Sequence, residues 1–284
     1  MASRAERITG SVAYHGEGPV WSDRWGGLRW VDMLAGDVLS LTPGGDIERK
    51  HVGEVAAALR PSSGGGAVIG VERGFALEEP DGTLTPLGEL WPTDSGVRMN
   101  EGGCDPHGRF YCGSMAYDKR PGAAAVHRLD PDLSTRVVLE GVTVSNGLDW
   151  SPDGACAYYN DTDTHRTDVF DYSVDAGLTN RRPFVRHGGE LQPDGLTVDA
   201  EGGVWVAMNG AAEVHRYSAE GELDAVVELP VAQVTACTFG GSDLATLFIT
   251  TSREDLPLDA EPQAGSLFSA EVGAGGMPVR EFAG

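Results

Sequence analysis

A polar residue followed about five positions later by a turn and a hydrophobic strand recurs along this chain. Four copies stand out, and the steps between their polar residues are 83, 46 and 48 residues. Because the first step is nearly twice the others, a further copy is expected inside it. One occurs there, beginning at Val55, and a last copy begins near Thr235, so the chain has six copies in all. The six positions with the same phase are Glu17, Val55, Asn100, Asn146, Asp194 and Thr235.

Repeats of about 40 to 48 residues, built from short strands and tight turns, are typical of β-propellers. The 40 glycines recur at turn positions, and helical patterns are scarce. The sequence therefore predicts an all-β, six-bladed β-propeller with four-stranded antiparallel blades around a central channel. No linker interrupts the pattern, which predicts a single domain over residues 1–284. We also expect residues around Ile8 to Tyr14 to complete the last blade and close the ring.

Equivalent positions of a propeller converge on its central axis, and five of the six phase residues are polar where a packed strand is normally apolar. Burying Glu17 and Asp194 together is costly unless a cation neutralises them. With one or two amide oxygens from Asn100 and Asn146, and without His or Cys, they form an oxygen set suited to Ca²⁺, Mg²⁺ or Mn²⁺ more than to Zn²⁺. The alternative is that the Asn-Gly and Asp-Gly pairs are only hairpin turns.

Charge and cysteine content narrow the partners and the compartment. The formal net charge of −22 and the pI near 4.5 argue against nucleic acid and anionic membranes, and favour a neutral substrate whose product is an acid. No signal segment or membrane span is evident, so we expect a cytoplasmic protein. We also expect it to be a monomer or a weak oligomer. The cysteines have no metal-binding spacing and are expected to be reduced core residues: Cys104, Cys112, Cys156 and Cys237.

Residues near the third phase position are candidates for substrate binding. Arg98 and Asn100 are two apart in an extended segment, so both side chains should face the central site, where a guanidinium can hold an oxygen of the substrate. The alternative for Arg98 is a salt bridge between blades. Glu101 falls on the opposite face by strict alternation, although the glycines after it can reorient the chain. Asp118 follows a strand end and is either a rim residue over the site or an exposed loop residue.

Other hydrolase and nucleotide-binding motifs are missing from the sequence. There is no GxSxG around a serine, no HExxH, and no glycine-rich phosphate loop. The acidic run at Asp161 and Asp163 lacks the remaining positions of a calcium loop and predicts a turn.

Several longer stretches resemble one family. The chain is similar over almost its whole length to the senescence marker protein, gluconolactonase and luciferin-regenerating family. The matching stretches are EGPVW at 17–21, RMNEGGCDPHGRFYCGSM at 98–115, SNGLDWSPDG at 145–154, PDGLTVDAEGGVWVA at 193–207 and TACTFGGSDLATLFITTSR at 235–253.

The resemblance implies a six-bladed propeller that hydrolyses sugar-acid lactones to aldonic acids in carbohydrate metabolism. It places one divalent metal ion on Glu17, Asn146 and Asp194, with Ca²⁺ as the first expectation and Zn²⁺, Mn²⁺, Mg²⁺ and Fe²⁺ as alternatives. The implied substrate contacts are Arg98, Asn100, Glu101 and Asp118. Two of these depart from the family pattern, because Glu101 replaces an Asp and Asp118 replaces a Glu.

The expected mechanism uses the metal as a Lewis acid and Asp194 as the general base, with a small sugar lactone as the partner molecule. Glu17 would balance the charge, while Arg98 and Asn100 would orient the sugar and steady the oxyanion. Two alternatives stay open at this point. One is a promiscuous metal-dependent esterase or phosphotriesterase of the same fold, and the other is a calcium-binding propeller without turnover.

Overall fold

The computed structural model describes residues 2–189, 191–257 and 259–284, and within them the chain forms six four-stranded blades in a ring. The predicted six-bladed β-propeller is therefore confirmed. Short β-rich segments separated by glycine turns can satisfy their backbone hydrogen bonds only with neighbouring segments, and each repeat does so within its own blade.

In each blade the strands follow one another from the inner edge, next to the ring axis, outwards. Two short strands come first, β1 (Ala2–Arg4) and β2 (Glu6–Arg7). Blade one contains β3 (Gly16–Ser22), β4 (Gly27–Asp32), β5 (Asp37–Leu41) and β6 (Ile47–His51). Blade two contains β7 (Ala56–Pro61), β8 (Ala67–Val71), β9 (Gly74–Glu78) and β10 (Leu84–Glu89). Blade three contains β11 (Val97–Cys104), β12 (Phe110–Ala116), β13 (Ala124–Leu129) and β14 (Thr135–Val142).

The second half of the ring repeats this order. Blade four contains β15 (Ser145–Trp150), β16 (Cys156–Asp161), β17 (Arg166–Ser173) and β18 (Gly177–Arg186). Blade five contains β19 (Gln192–Val198), β20 (Val204–Asn209), β21 (Glu213–Tyr217) and β22 (Leu223–Glu228). Blade six contains β23 (Val234–Gly240), β24 (Thr246–Thr251) and β25 (Phe268–Glu271). Short 3-10 helices span Asp23–Trp25, Met33–Ala35, Thr93–Ser95 and Thr162–Thr164.

The first strands of neighbouring blades contact one another around the closed ring, and each carries a register shift near its start. Such a β-bulge re-aims side chains out of the regular alternation. The shifts contain or adjoin Glu17, Asn100, Asn146, Asp194 and Thr235, as the repeat predicted. In blade two the prediction was wrong by two residues. The shift there contains Ala57, whereas Val55 precedes β7.

The Asn146-Gly147 and Asp194-Gly195 pairs lie within strands and do not form hairpin turns. Gly147 is inside β15 and Gly195 is inside β19. A Cβ atom on Gly147 would lie 2.4 Å from the backbone nitrogen of Leu196, and one on Gly195 would lie 2.4 Å from the Cβ of Ala236. Glycine is therefore needed where the innermost strands approach one another, which excludes the hairpin interpretation.

The apolar core lies between blades. One large cluster joins blades one to three and includes Met33, Leu59 and Phe110, all fully buried. Another joins blades five and six around Trp205 and Phe268. Burial of this kind holds each blade against its neighbours, so the polar centre of the ring does not have to stabilise the fold.

The N-terminal residues close the ring, but through a different segment from the one predicted. β2 pairs antiparallel with β25 and supplies the fourth strand of blade six, while β1 adds to β22 of blade five in parallel. The predicted segment, Ile8 to Tyr14, instead runs along blade six without forming a strand, with Ile8 N–H donating to the Leu267 carbonyl at 2.8 Å. Assignment of residues 1–284 to a single domain stays a prediction.

Deleting residues 2–7 should destabilise the protein, because it removes both strands and leaves blade six with an open edge. Each lost backbone hydrogen bond contributes about 0.5–1.5 kcal/mol, so a loss of a few kcal/mol and a fall of roughly 5–10 °C in melting temperature are expected. Deleting residues 2–4 alone is the matched control and should cost less, since blade six stays complete. Equal melting temperatures for the full chain and the longer deletion would contradict a stabilising role for β2.

All four cysteines are free thiols, as expected, and Cys104, Cys112 and Cys237 are buried as predicted for core residues, whereas Cys156 is only half-buried. Burial raises the pKa of the Cys112 thiol to about 12. Within the described residues, no helix has the length and apolar character needed to cross a membrane.

Candidate metal and substrate site

The starts of the innermost strands surround a cavity of about 230 Å³. Five predicted site residues line it: Glu17, Arg98, Asn100, Asn146 and Asp194. Each of these side chains is at most 5% exposed. The bulges in the innermost strands thus bring together polar groups that are far apart in sequence, in a place where water has little access.

Hydrogen bonds fix the orientation of the Asn146 amide. The Thr162 hydroxyl donates to the Pro193 carbonyl at 2.8 Å, so its oxygen is left to accept from Asn146 Nδ2 at 2.7 Å. Asn100 Nδ2 donates to Asn146 Oδ1 at 2.8 Å. An amide oxygen has a second lone pair, so Asn146 Oδ1 can still accept a further donor or a cation.

Asp194 is held on one side only. Asn209 Nδ2 donates to Asp194 Oδ2 at 2.8 Å, and Asn160 Nδ2 donates to the Asp194 backbone carbonyl at 2.6 Å. The other carboxylate oxygen, Oδ1, is buried and has no hydrogen-bond partner within the described residues. Burial raises the pKa of the Asp194 carboxyl to about 7. An orphaned buried carboxylate oxygen calls for either a proton or a cation.

Glu17 has a similar environment. Its Oε2 accepts from the Gly18 amide at 3.0 Å, where Gly18 adopts a φ of 49° in the bulge of β3. Burial raises the pKa of the Glu17 carboxyl well above its ordinary value, and the neighbouring charges of Asp194 and Glu101 raise it further. Glu17 and Asp194 therefore repel each other in the absence of a positive charge between them.

Arg98 is a buried cation without a salt bridge among the described residues. Its Nη1 donates to Asn100 Oδ1 at 2.6 Å and to the Met99 carbonyl at 3.0 Å, and the guanidinium carbon lies 5.9 Å from the centre of the Tyr117 ring. Burial lowers the pKa of the Arg98 guanidinium. The alternative of a salt bridge between blades is therefore excluded, and the predicted common face of Arg98 and Asn100 agrees with their direct hydrogen bond.

Glu101 was predicted to contact the substrate, but it does not lie in the cavity of the other site residues. It lines a second, narrower cavity of about 60 Å³ that it shares with Arg60, Asp149 and Arg280, and it does not line the cavity of Asp194. The register shift in β11 contains both Asn100 and Glu101, and these two consecutive side chains point into different cavities. Burial, followed by the charge of Asp194, raises the pKa of the Glu101 carboxyl to about 8.

Asp118 also points away from the site. Its side chain is 62% exposed and forms an ion pair with Arg120 at 2.9 Å. The residues on either side, Tyr117 and Lys119, line the cavity instead. Residues 117–119 form a turn beyond the end of β12, in which the Lys119 amide donates to the Ala116 carbonyl at 2.9 Å and Lys119 has a φ of 53°, and this turn directs Asp118 outwards. The placement argues against a substrate contact for Asp118.

Sequence reasoning missed several further residues of this cavity. Besides Tyr117 and Lys119, they include His15, Gln192, Asn209 and Glu254. His15 lies 2.8 Å from the Ser252 hydroxyl, and burial lowers its pKa to about 3, so its imidazole is neutral. Gln192 could have been found from its position two residues before Asp194. Glu254 lies outside the repeat phase, and no sequence signal marks it.

The sequence matches one family of known proteins. A sequence model of the SMP-30/Gluconolactonase/LRE-like region matches residues 15–253. Regucalcin of Oryctolagus cuniculus is 33% identical over 284 residues, covering 95% of both chains. The Bacillus subtilis (strain 168) protein YvrE, named as a proposed sugar lactone lactonase, is 33% identical over 278 residues, covering 95% of both chains.

The chain belongs to the SMP-30/gluconolactonase family. Among solved structures, a calcium-binding protein, regucalcin, from Agrobacterium tumefaciens matches with a TM-score of 0.93 and 26% identity, over 99% of this chain and 98% of that one. Both the predicted family and the predicted fold are thus confirmed.

For this member of the SMP-30/gluconolactonase family, the site chemistry fits a hard divalent cation. Within the described residues, no group of three or more His, Cys, Asp and Glu side chains is placed to hold a metal. The predicted set differs, since it has two carboxylates, Glu17 and Asp194, and one amide, Asn146. The unpartnered Asp194 Oδ1 and the mutual repulsion of the two carboxylates are both relieved by a cation with oxygen ligands.

Proposed function

We propose that this protein hydrolyses a sugar-acid lactone to the aldonic acid in a reaction that depends on one divalent cation. The observation that carries the proposal is the pairing, in one cavity, of two unneutralised buried carboxylates with a buried arginine that has no acidic partner among the described residues. A cation site alone would not need Arg98, and an anion site alone would not need Glu17 and Asp194.

Glu17, Asn146 and Asp194 would hold the cation through oxygen atoms, which favours Ca²⁺. When bound, the cation supplies a Lewis acid that polarises the lactone carbonyl and makes water more acidic. The Thr162 hydroxyl contributes by keeping the Asn146 amide oxygen turned toward the cavity. Asn209 contributes by holding one Asp194 oxygen, so that the other faces the reaction.

Asp194 is the proposed general base. Water adds to the lactone carbonyl carbon while Asp194 accepts its proton, and the protonated carboxyl then returns the proton to the ring oxygen as the ester C–O bond breaks. Every atom of water ends in the product, which is the open-chain hydroxy acid.

Arg98 and Asn100 would bind the substrate and steady the oxyanion that forms on the carbonyl oxygen. Arg98 uses Nη1 in its hydrogen bond to Asn100, so other guanidinium donors are available to the lactone. Tyr117, whose hydroxyl donates to Glu72 Oε1 at 2.7 Å, packs beside the guanidinium and helps to position it.

Cavity size favours a small substrate. Drug-sized ligands occupy pockets of about 300–1,000 Å³, whereas this cavity has about 230 Å³. A monocyclic sugar lactone suits that volume better than a bulky ester. The polar lining, with Gln192 and Asn209 among it, provides partners for sugar hydroxyl groups.

A panel of gluconolactone, galactonolactone, xylonolactone and arabinonolactone, tested on metal-stripped protein with each divalent ion added back, decides the proposal. We expect hydrolysis to be absent without metal and restored by one or more ions, with Ca²⁺ among them. Hydrolysis of aryl esters or phosphotriesters but of no lactone would instead support the esterase alternative. Tight Ca²⁺ binding without turnover of any substrate would support a binding protein.

A further inference from the structure

Lys119 occupies an unusual position in this acidic chain. The sequence contains two lysines, Lys50 and Lys119. Lys50 is paired, since its ammonium donates to Glu78 Oε1 at 2.6 Å and to the Gly82 carbonyl at 2.5 Å. The ammonium of Lys119 forms no hydrogen bond or ion pair within the described residues, although the chain carries 43 acidic side chains.

The Lys119 side chain is at the cavity and not on a remote surface. It lines the same cavity as Glu17, Arg98 and Asp194. Its positive charge contributes to lowering the pKa of His15, and it stabilises the ionised form of Asp194. Arg120, the next residue, instead pairs with Asp118 outside the cavity. Both residues are exposed, but Lys119 lies at the mouth of the cavity, whereas Arg120 is paired outside it.

A count of the charges around the cavity shows that, among the described residues, Lys119 has no negative partner once a cation is bound. The charged side chains that line it are Glu17, Asp194, Glu254, Arg98 and Lys119, and His15 is neutral. The proposed divalent cation would neutralise Glu17 and Asp194. Glu254 then remains against Arg98 and Lys119, which leaves one positive charge in surplus. An anionic group on the ligand would compensate for it.

We propose that the preferred lactone carries an anionic substituent, and that Lys119 binds this substituent at the mouth of the cavity. The inference rests on the proposed lactonase function and specifies its substrate class. Both a carboxylate and a phosphate ester supply the required charge. The general negative charge of the protein repels anions at long range, so a local cation is needed to bind one.

Three lactones with the same six-carbon skeleton test the proposal. D-glucono-1,5-lactone is neutral, D-glucaro-1,4-lactone carries a carboxylate, and 6-phospho-D-glucono-1,5-lactone carries a phosphate. We expect kcat/KM for at least one anionic lactone to exceed that for the neutral lactone. Lys119→Met should lower the ratio of kcat/KM for the anionic lactone to kcat/KM for the neutral lactone by about tenfold to a hundredfold. This is the loss expected for a hydrogen bond to a charged group. The anionic lactone that responds identifies the substituent.

The matched control is Arg120→Gln, which removes one positive charge from the same loop but outside the cavity. It should change the ratio of kcat/KM for the anionic lactone to kcat/KM for the neutral lactone by less than about threefold, because Arg120 is paired with Asp118 outside the cavity and such surface pairs contribute little. Lys119→Arg should restore part of the ratio. Since the Lys119 side chain has no polar partner among the described residues, its replacement removes no structural hydrogen bond.

A binding measurement separates substrate binding from product release. Titration of the calcium-loaded protein with D-gluconate and with D-glucarate compares one carboxylate with two. Lys119→Met should weaken glucarate binding more than gluconate binding. Equal weakening of both would show that Lys119 holds the carboxylate formed by hydrolysis and would overturn the proposal. If Lys119→Met left the ratio of kcat/KM for the anionic and neutral lactones unchanged, that result would also overturn the proposal. The proposed lactone hydrolysis would not be affected by that result. Failure to hydrolyse any lactone would refute the proposed function instead.

Discussion

Replacing Asp194 with asparagine is expected to lower divalent-cation affinity by more than about a hundredfold and to abolish lactone hydrolysis. Loss of residues that only support metal ligands costs about 10–100-fold, and Asp194 is proposed as a ligand itself. The fold should survive, because the blades are held together by apolar clusters away from the central cavity. Calorimetric titration with Ca²⁺ and a hydrolysis assay measure the two losses.

The same variant should be more stable than the wild-type protein when metal is absent. The pKa of Asp194 is raised to about 7 in the folded protein, compared with about 3.9 in an unfolded chain. The folded state thus binds more protons, so its stability falls as the pH rises from about 4 to about 7. Asparagine removes this penalty. We expect a higher melting temperature for metal-free Asp194→Asn at pH 8, and a smaller difference near pH 4.

With Ca²⁺ present, the wild-type protein should have the higher melting temperature, because Ca²⁺ stabilises the wild-type protein and not the variant. An Asp194→Asn protein that binds Ca²⁺ as tightly as the wild type would show that the cation site lies elsewhere. A lower melting temperature for the metal-free variant would show that Asp194 has a structural role.

Replacing Arg98 with alanine should separate substrate binding from cation binding. Loss of a charged hydrogen bond to substrate or oxyanion is expected to reduce kcat/KM by one to about three kcal/mol of transition-state stabilisation. Cation affinity should stay close to that of the wild type or increase slightly, because Arg98 is a positive charge near Glu17 and Asp194. Steady-state kinetics and a Ca²⁺ titration on the same preparation measure both quantities.

Arg98→Lys is the matched variant for this experiment. It keeps the charge but loses the planar guanidinium, so it should recover only part of the activity. Full activity in Arg98→Ala would show that Arg98 only supports Asn100, to which it donates at 2.6 Å. A large loss of cation affinity in both variants would show that the Arg98 and Asn100 pair positions Asn146, through the hydrogen bond from Asn100 to Asn146.

Much of the fold was predictable because a propeller repeats its local pattern. The strand and turn signals recur in every blade, and errors in one copy are corrected by the others. The position in blade two was still misplaced, at Val55 in place of Ala57, because an apolar residue in an apolar segment carries no phase signal. The closing strand was also misplaced, since Glu6 and Arg7 are polar and exposed and do not look like part of a sheet.

The sequence by itself determined the ring and the polar residues that converge on its axis, because both follow from a repeat that is visible in the sequence. It also determined the family, through the longer matching stretches. Only the tertiary structure decided which neighbours of those residues face the cavity. Glu101 and Asp118 point away from it, from a register shift in β11 and from a turn after β12, while Lys119, Asn209 and Glu254 reach it from the strand ends and loops around its mouth. The direction of a side chain at a bulge or a strand end depends on backbone geometry that residue type does not specify.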